Sequence, residues 1–304
     1  MKTIYFLVGP TAVGKTAIAM ELAGRMRAEI ISCDSMQVYK GMDIGTQKPP
    51  ARLRKKIRHH MIDIISPSQE FNAAEFCARA LKAIREIHRG RKAALFVGGT
   101  GLYMKALLNG LFPSPPKDQK LRERLYGHRD PYGLLQKIDP QAAQAIHPND
   151  TKKIVRSLEV YYTTGTTISE LKAGTTKPLA DMFDVKVFGL TRPRQELYER
   201  VERRVERMFK DGFMDEVKRL SKKKLGLTAS QAIGYREVFA CLRGDMTLDE
   251  TKEAIKKNTR RYAKRQLTWF RADTRVQWIE INKGHTPKQS AKQIFNLCNR
   301  FKSV

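Results

Sequence analysis

A glycine-rich loop set directly after a short, unbroken apolar run constrains this chain more than any other feature. Thr3 to Val8 reads TIYFLV, and Gly9 to Thr16 reads GPTAVGKT. A continuous apolar run of that length is the pattern of a strand buried on both faces of a parallel sheet. The next segment, Thr16 to Arg27, carries Ile18, Ala19, Leu22, Ala23 and Met26 at helical spacing. Strand, glycine loop and helix in that order make a phosphate site. Loop N–H groups converge on phosphate oxygens, and the helix N-terminus adds a positive dipole. The match to G-x-x-x-x-G-K-[ST] assigns Gly9, Pro10, Thr11, Ala12, Val13, Gly14, Lys15 and Thr16 to a diphosphate-binding loop. Lys15 reaches the phosphates, and the Thr16 hydroxyl holds Mg²⁺.

The pattern continues in the same style. Glu29 to Ser32 (EIIS) and Ala93 to Val97 (AALFV) read as buried strands, with a helix over Phe71 to His88 between them. Asp184 to Leu190 (DVKVFGL) and Val276 to Ile281 (VQWIEI) resume the strand pattern. Alternating strands and helices predict an α/β fold with a parallel sheet flanked by helices, a P-loop NTPase-like core. Composition shifts at Pro113 to Pro116 (PSPP), and from there to about Phe183 the chain reads as mostly helical, with turns at Asp139-Pro140 and His147-Pro148. The expected division is a catalytic core over 1–113 and 184–304, with basic C-terminal helices, and a helical insertion domain over 114–183.

Charge narrows the partner. Lys plus Arg number 58 against 31 Asp plus Glu, a net +27, which points to a polyanion, nucleic acid before membrane surface. Hydrophobic residues at 41% and charged residues at 29% fit a folded globular chain rather than a disordered one. No apolar run reaches the roughly 18 residues of a membrane span. Cys33, Cys77, Cys241 and Cys298 form no C-x-x-C pair, so neither a zinc ribbon nor a disulfide framework is indicated, and the expected setting is the reducing cytoplasm.

The phosphate loop alone leaves the chemistry open. A nucleoside-triphosphate hydrolase carries an acidic magnesium ligand at the end of an apolar strand. Here AALFV ends in Gly98-Gly99-Thr100, and the acid placed just after a core strand is Asp34, in SCDS. Carboxyl ends of parallel strands are where ligands bind, which favours Asp34 as a site residue over a solvated loop residue.

Six segments then carry a recognisable pattern: GPTAVGKT, DSMQVYKGMDIGTQKP (Asp34 to Pro49), HHMID (His59 to Asp63), FVGGTGLY (Phe96 to Tyr103), QAIGYRE (Gln231 to Glu237) and KRQLTWFR (Lys264 to Arg271). Together, in this order, they resemble the tRNA dimethylallyltransferase (tRNA isopentenyltransferase) family, in its bacterial form, since no Cys/His cluster follows as in eukaryotic members. The resemblance implies transfer of a dimethylallyl group from dimethylallyl diphosphate to the N6 amine of adenosine 37 in tRNA, with diphosphate leaving. It implies Asp34 as general base, Thr11, Thr16 and Lys15 as diphosphate or magnesium contacts, and one of Arg200 and Arg204 near the diphosphate. Those two lie four apart in LYERVERRVERMF and share a helical face, although a solvated charged helix fits the same segment. The resemblance also implies tRNA contacts at Asp34, Ser35, Met36, Gln37, Thr100, Arg122 and the run Lys152, Lys153, Ile154, Val155 and Arg156. The insertion would meet the anticodon stem-loop.

The helix from about Leu248 to Arg271 bears on RNA independently. At 100° per residue, Ile255, Thr259, Tyr262, Gln266, Trp269 and Phe270 share one side, and Lys257, Arg260, Arg261, Lys264 and Arg271 lie opposite. Residues 251–275 hold nine bases and two acids, so Lys257, Arg260 and Lys264 are expected to track phosphates. Tyr262 and Trp269, on the apolar stripe, are expected in the core. His59 and His60 gain no role from spacing. An adenylate prenyltransferase, a P-loop small-molecule kinase and a non-catalytic RNA-binding protein are the competing readings. The insertion and the basic helix argue against the first, the absent strand-end acid against the second, and intact Lys15, Thr16 and Asp34 against the third. The expected state is a monomer with no membrane partner.

Overall fold

The computed structural model describes residues 1–112, 114–173 and 178–300; Pro113, which opens the proline run noted above, lies outside them, as do 174–177 and 301–304. The chain separates into a larger compact unit, Met1–Ala106 with Phe183–Val304, and a smaller one, Leu107–Met182.

The larger unit is built on β1 (Thr3–Val8), α1 (Lys15–Met26), β2 (Ala28–Cys33), α2 (Ala51–Lys56), β3 (His59–His60), α3 (Ala73–Arg89), β4 (Ala93–Gly98) and the first part of α4 (Gly101–Asn109), whose last residues from Leu107 belong to the smaller unit. The smaller unit supplies α5 (Gln119–Tyr126), α6 (Pro131–Ile138), α7 (Pro140–Ala145), α8 (Thr151–Thr164), α9 (Ile168–Ala173) and α10 (Leu179–Met182). The larger unit resumes with β5 (Asp184–Thr191), α11 (Arg194–Lys210), α12 (Phe213–Ser221), α13 (Leu227–Ser230), α14 (Tyr235–Leu242), α15 (Leu248–Arg271), β6 (Val276–Glu280) and α16 (Pro287–Arg300).

Six strands form one parallel sheet in the order β3-β2-β4-β1-β5-β6. β1 is central, and its apolar residues are buried on both faces. Tyr5 and Leu7 pack with Ile18 and Leu22 of α1 on one side. Phe6 stacks on Phe96 of β4 on the other, ring centroids 4.5 Å apart. Each such side chain contributes on the order of 1.5–3 kcal/mol on burial. The carboxyl ends of neighbouring strands approach closely. A Cβ at Gly98 would stand 2.0 Å from the Cys33 carbonyl oxygen, and one at Gly9, whose φ is +141°, would stand 2.6 Å from that of Leu190. The chain therefore turns out of β1 and β4 at glycines, into the space above the sheet edge.

The two histidines gain a place. His59 and His60 pair with Ile30 and Ile31 as a two-residue edge strand. His60 Nε2 lies 2.7 Å from Glu29 Oε2, and His59 Nδ1 lies 2.7 Å from the Ile57 carbonyl. A strand this short has no periodicity to read.

In the smaller unit, aspartates start the helices. Asp118, Asp130, Asp139 and Asp150 each accept a backbone N–H of their helix, and Pro131 and Pro140 occupy first-turn positions. The Asp139-Pro140 pair expected as a turn is thus a helix start. Leu125, Leu135, Ile154, Val155 and Leu158 form the apolar core. Among them sits Glu159, fully buried. It accepts Arg122 Nε and Nη2 at 2.8 Å each, the Asp118 N–H at 2.7 Å and Arg156 Nη1. Glu159→Ala should leave two arginines without their counter-charge. The expected loss is about 3 kcal/mol, the low end for a buried pair because both arginines keep some exposure. Faster proteolysis within 107–182, with the larger unit's sheet intact, checks this.

Candidate active site

A cavity of about 750 Å³ opens at the carboxyl ends of the larger unit's strands, lined by Thr11, Lys15, Thr16, Asp34, Gln37, Arg200, Arg204, Tyr262 and Gln266 among others. A smaller recess of about 50 Å³, lined by Ala19, Ile30, Val97 and His59 as well as Lys15 and Asp34, adjoins these residues.

The loop from Gly9 to Thr16 is held from outside by α11, by Arg192 just before it, and by α15. Arg200 Nε donates to the Ala12 carbonyl (2.7 Å), and Arg192 Nε to that of Val13 (2.9 Å). Arg204 Nη1 donates to Thr11 Oγ1 (2.6 Å). The Thr11 N–H donates to Gln266 Oε1 (2.8 Å), and Gln266 Nε2 donates to the Gly99 carbonyl (2.8 Å). One buried side chain of α15 thus ties the phosphate loop to the end of β4. The two arginines have separate contacts: Arg200 braces loop backbone, and Arg204 meets the Thr11 hydroxyl beside Asp34. Arg192 and Gln266 were not expected here, since both depend on contacts between residues some 180 to 255 positions apart.

Lys15 Nζ donates to the carbonyls of Gly9 (2.9 Å) and Pro10 (2.8 Å). Burial pushes its amine down to about 8, against the pull of the Asp34 carboxylate. Burial likewise lowers Arg204 to about 10, with Asp34 again opposing. Asp34 Oδ1 accepts the N–H of Met36 (2.9 Å) and of Gln37 (3.4 Å), which fixes the carboxylate against its own turn. Oδ2 has no protein partner among the described residues. The Ser35 N–H donates to Thr100 Oγ1 (3.1 Å), so Thr100 braces this turn. Gln37 is held by Ser32 Oγ (2.9 Å) on its oxygen and donates to the Thr46 carbonyl (3.2 Å).

The remaining expected residues fall elsewhere. Ile154 and Val155 are in the core of the smaller unit, so their side chains cannot meet RNA, a correction that follows from their place on the inner face of α8. Arg122 and Arg156 are bound to Glu159. Lys153 pairs with Asp150, and Lys152 is exposed. On α15, Lys257 and Lys264 are exposed, but Arg260 pairs with Glu202 of α11 (3.0 Å). Lys256 pairs with Glu206 (2.7 Å), so acids of a neighbouring helix neutralise part of a face that reads as one-signed in isolation. Tyr262 lines the cavity rather than the core, and Trp269 is 45% exposed over Gly101. Both were expected inside; the true inner residues of this helix are Thr251, Ile255, Ala263, Gln266 and Phe270.

Residues 37–273 match the model of the IPP transferase (IPPT) family. The chain belongs to that family. Among its relatives, the tRNA dimethylallyltransferase of Halothermothrix orenii is 44% identical over 295 residues, covering 94% of this chain and 90% of its own. The tRNA dimethylallyltransferase 2 of Syntrophus aciditrophicus is 46% identical, covering 90% of each. The crystal structure of the full-length tRNA isopentenylpyrophosphate transferase of Bacillus halodurans superposes with a TM-score of 0.73 at 37% identity, over 99% of this chain and 97% of that one. A eukaryotic dimethylallyltransferase captured acting on tRNA gives 0.84 at 30% identity, over all of this chain and 80% of its own. No helix among the described residues is long and apolar enough to cross a membrane.

Within this IPP transferase site the lowered Lys15 value has a direct consequence. The protonated amine binds an anion and the neutral one does not. Affinity for inorganic diphosphate should therefore fall as pH rises through about 8. Binding at a pH about one unit above that value should take up a proton, because a bound anion restores the charge. Titration calorimetry in buffers of different ionisation enthalpy reads this uptake; the excess of wild type over Lys15→Ala, which removes the diphosphate's own ionisation from the comparison, should be present at the higher pH and vanish near pH 6.5.

Proposed function

We propose that this chain transfers a dimethylallyl group from dimethylallyl diphosphate to the N6 amine of adenosine 37 in the anticodon loop of tRNA. One observation carries the reading: a single cavity holds a cationic phosphate loop, with Lys15, Thr16 and Arg204, beside a fixed carboxylate, Asp34. The first set suits a departing anion, and the second suits a proton. The relatives named above are enzymes of this kind.

In this reading the nitrogen of the adenine amine attacks C1 of the dimethylallyl group as the C1–O bond breaks. Loop N–H groups, the N-terminus of α1, Lys15 and Arg204 stabilise the charge that develops on the leaving diphosphate. The amine lone pair is delocalised into the ring, so the nitrogen is a weak nucleophile. As its new bond forms it becomes acidic, and Asp34 Oδ2 accepts the proton. The target base has to leave the loop stack to enter the cavity. Thr16, exposed in the cavity, would hold a Mg²⁺ by its hydroxyl, and a single protein ligand fits an ion that takes few of its ligands from protein. That ion would supply further charge neutralisation on the leaving group. Ser35, Met36 and Gln37 flank the adenosine, and the smaller unit's Lys152 and Lys153 are offered to the stem-loop. The enzyme works in the cytoplasm, as a monomer.

Two measurements test this. Asp34→Asn keeps the shape and hydrogen bonding of the turn but cannot take a proton. Its single-turnover rate on unmodified tRNA, followed as prenylated adenosine by mass, should fall about 10²–10⁴-fold with both substrates still bound. A mutant close to the wild-type rate removes Asp34 from the chemistry. Second, the affinity for tRNA should fall steeply with salt. Neutralising Lys257 and Lys264 together should lower the log–log slope by about two, one for each RNA phosphate that then keeps its counterion. Arg260→Gln should change the slope less, because Glu202 already holds that charge.

A further inference from the structure

Two segments of the chain have no part in the chemistry above, Asp43 to Thr46 and Gln231 to Glu237, yet they meet at one carboxylate. Glu216 stands in the first turn of α12 and is 2% exposed. Its Oε2 accepts the N–H groups of Asp43 (3.0 Å) and Ile44 (2.8 Å). Its Oε1 accepts the N–H of Gly45 (3.2 Å) and the hydroxyl of Tyr235 (2.6 Å), itself 1% exposed. All four partners are neutral. Three consecutive backbone N–H groups turned toward one anion make a nest, and the N-terminal turn of α12 adds its favourable dipole.

The packing around this bond network is tight. A Cβ at Gly45 would stand 2.4 Å from the Tyr235 ring and 2.5 Å from that of Phe213. The loop then passes into the cavity wall. Asp43, Ile44, Thr46 and Gln47 line the same space as Asp34. The carbonyls of Thr46 and Gln47 receive the side-chain amide of Gln37 (3.2 and 3.4 Å). Lys48 Nζ closes the loop on the Tyr39 carbonyl (2.6 Å), Asp43 (2.7 Å) and Asp63 (2.5 Å). The phosphate loop is held by a different set, Arg192, Arg200, Arg204 and Gln266. The cavity thus has two walls with separate supports.

Resting on the reading above, in which Asp34 and Gln37 face the adenosine, we propose that Glu216 is a positioning residue for the acceptor side of the site. With Tyr235 it sets the Asp43–Gln47 wall, and through that wall Gln37, without acting on the diphosphate side. Its removal would shift acceptor recognition and leave donor recognition in place, a split that a general loss of folding does not produce.

Glu216→Gln and Tyr235→Phe test this. A glutamine turns an N–H₂ group toward some of the same donors, and the phenylalanine removes one hydroxyl only. For Glu216→Gln, KM for a synthetic anticodon stem-loop should rise about tenfold or more, on the scale of a missing hydrogen bond to a charged group. Tyr235→Phe should raise it about two- to fivefold, less than Glu216→Gln because the carboxylate keeps its three backbone N–H donors. The Kd for inorganic diphosphate should stay within about twofold in both, since a wall with separate support is not coupled to the change. Amide exchange at Asp43, Ile44 and Gly45 should accelerate in both variants, with the Gly9–Thr16 loop unaffected. Equal losses toward stem-loop and diphosphate would overturn the proposal, as would an unchanged stem-loop KM in Tyr235→Phe should Glu216→Gln prove too unstable to assay. A wild-type chain that prenylates no stem-loop would refute the functional reading instead; the exchange rates at 43–45 would still decide whether Glu216 holds the loop.

Discussion

Positive charge gathered at one end of a buried sheet is what the surrounding structure has to accommodate. Lys15 and Arg204 lose much of their water there, and both are easier to deprotonate than usual for that reason. Their hydrogen-bond partners are the Thr11 hydroxyl and carbonyl groups of the loop itself, and the Asp34 carboxylate acts on both through its charge. Arg200 of α11 and Arg192, just before that helix, take up the Ala12 and Val13 carbonyls from outside. The loop is therefore held by cations on several sides, and its shape depends on them. An arrangement in which like charges crowd around one point is preorganised for a dense anion, because the cost of bringing them together has been met in folding.

Opposite in sign, and buried, are the carboxylates that organise the rest of the molecule. Glu216 gathers a loop by its N–H groups. Glu237 of α14 accepts from the Gly234 N–H (2.7 Å), Arg236 Nε (2.7 Å) and Asn258 Nδ2 (2.8 Å), which joins α14 to α15. Glu159 does the same inside the smaller unit with two arginines. Each satisfies several donors at once, the condition under which a buried charge is tolerated.

Legibility from sequence followed the reach of the interactions. The strand–loop–helix unit is local, so β1, the loop and α1 stand within one or two residues of where apolar pattern and glycine spacing put them. Asp34 was legible from its place after a strand, since strand ends carry function. The two-residue β3 was not, because its pairing comes from β2 and from the Glu29–His60 contact rather than from any repeat. The long helix α15 was found at its true limits, yet its faces were misassigned in part. Helical phase alone cannot show that Glu202 and Glu206 of α11 lie against its basic residues, nor that Trp269 sits at the outer margin of the apolar stripe. Gln266, a polar residue on that stripe, is buried because both ends of its amide are satisfied by backbone groups distant in sequence.

The strand order has a consequence for how such a chain is made. β1 is the first strand synthesised and lies at the centre of the sheet, between β4 and β5. Its second neighbour begins only at Asp184, after the whole of the smaller unit. During synthesis one edge of β1 therefore stays unpaired until nearly two-thirds of the residues have left the ribosome, an exposed apolar edge of the kind that invites association with other chains. The Leu107–Met182 segment, by contrast, is continuous and emerges complete before β5. The insertion separates the two halves of the catalytic sheet in time as well as in sequence.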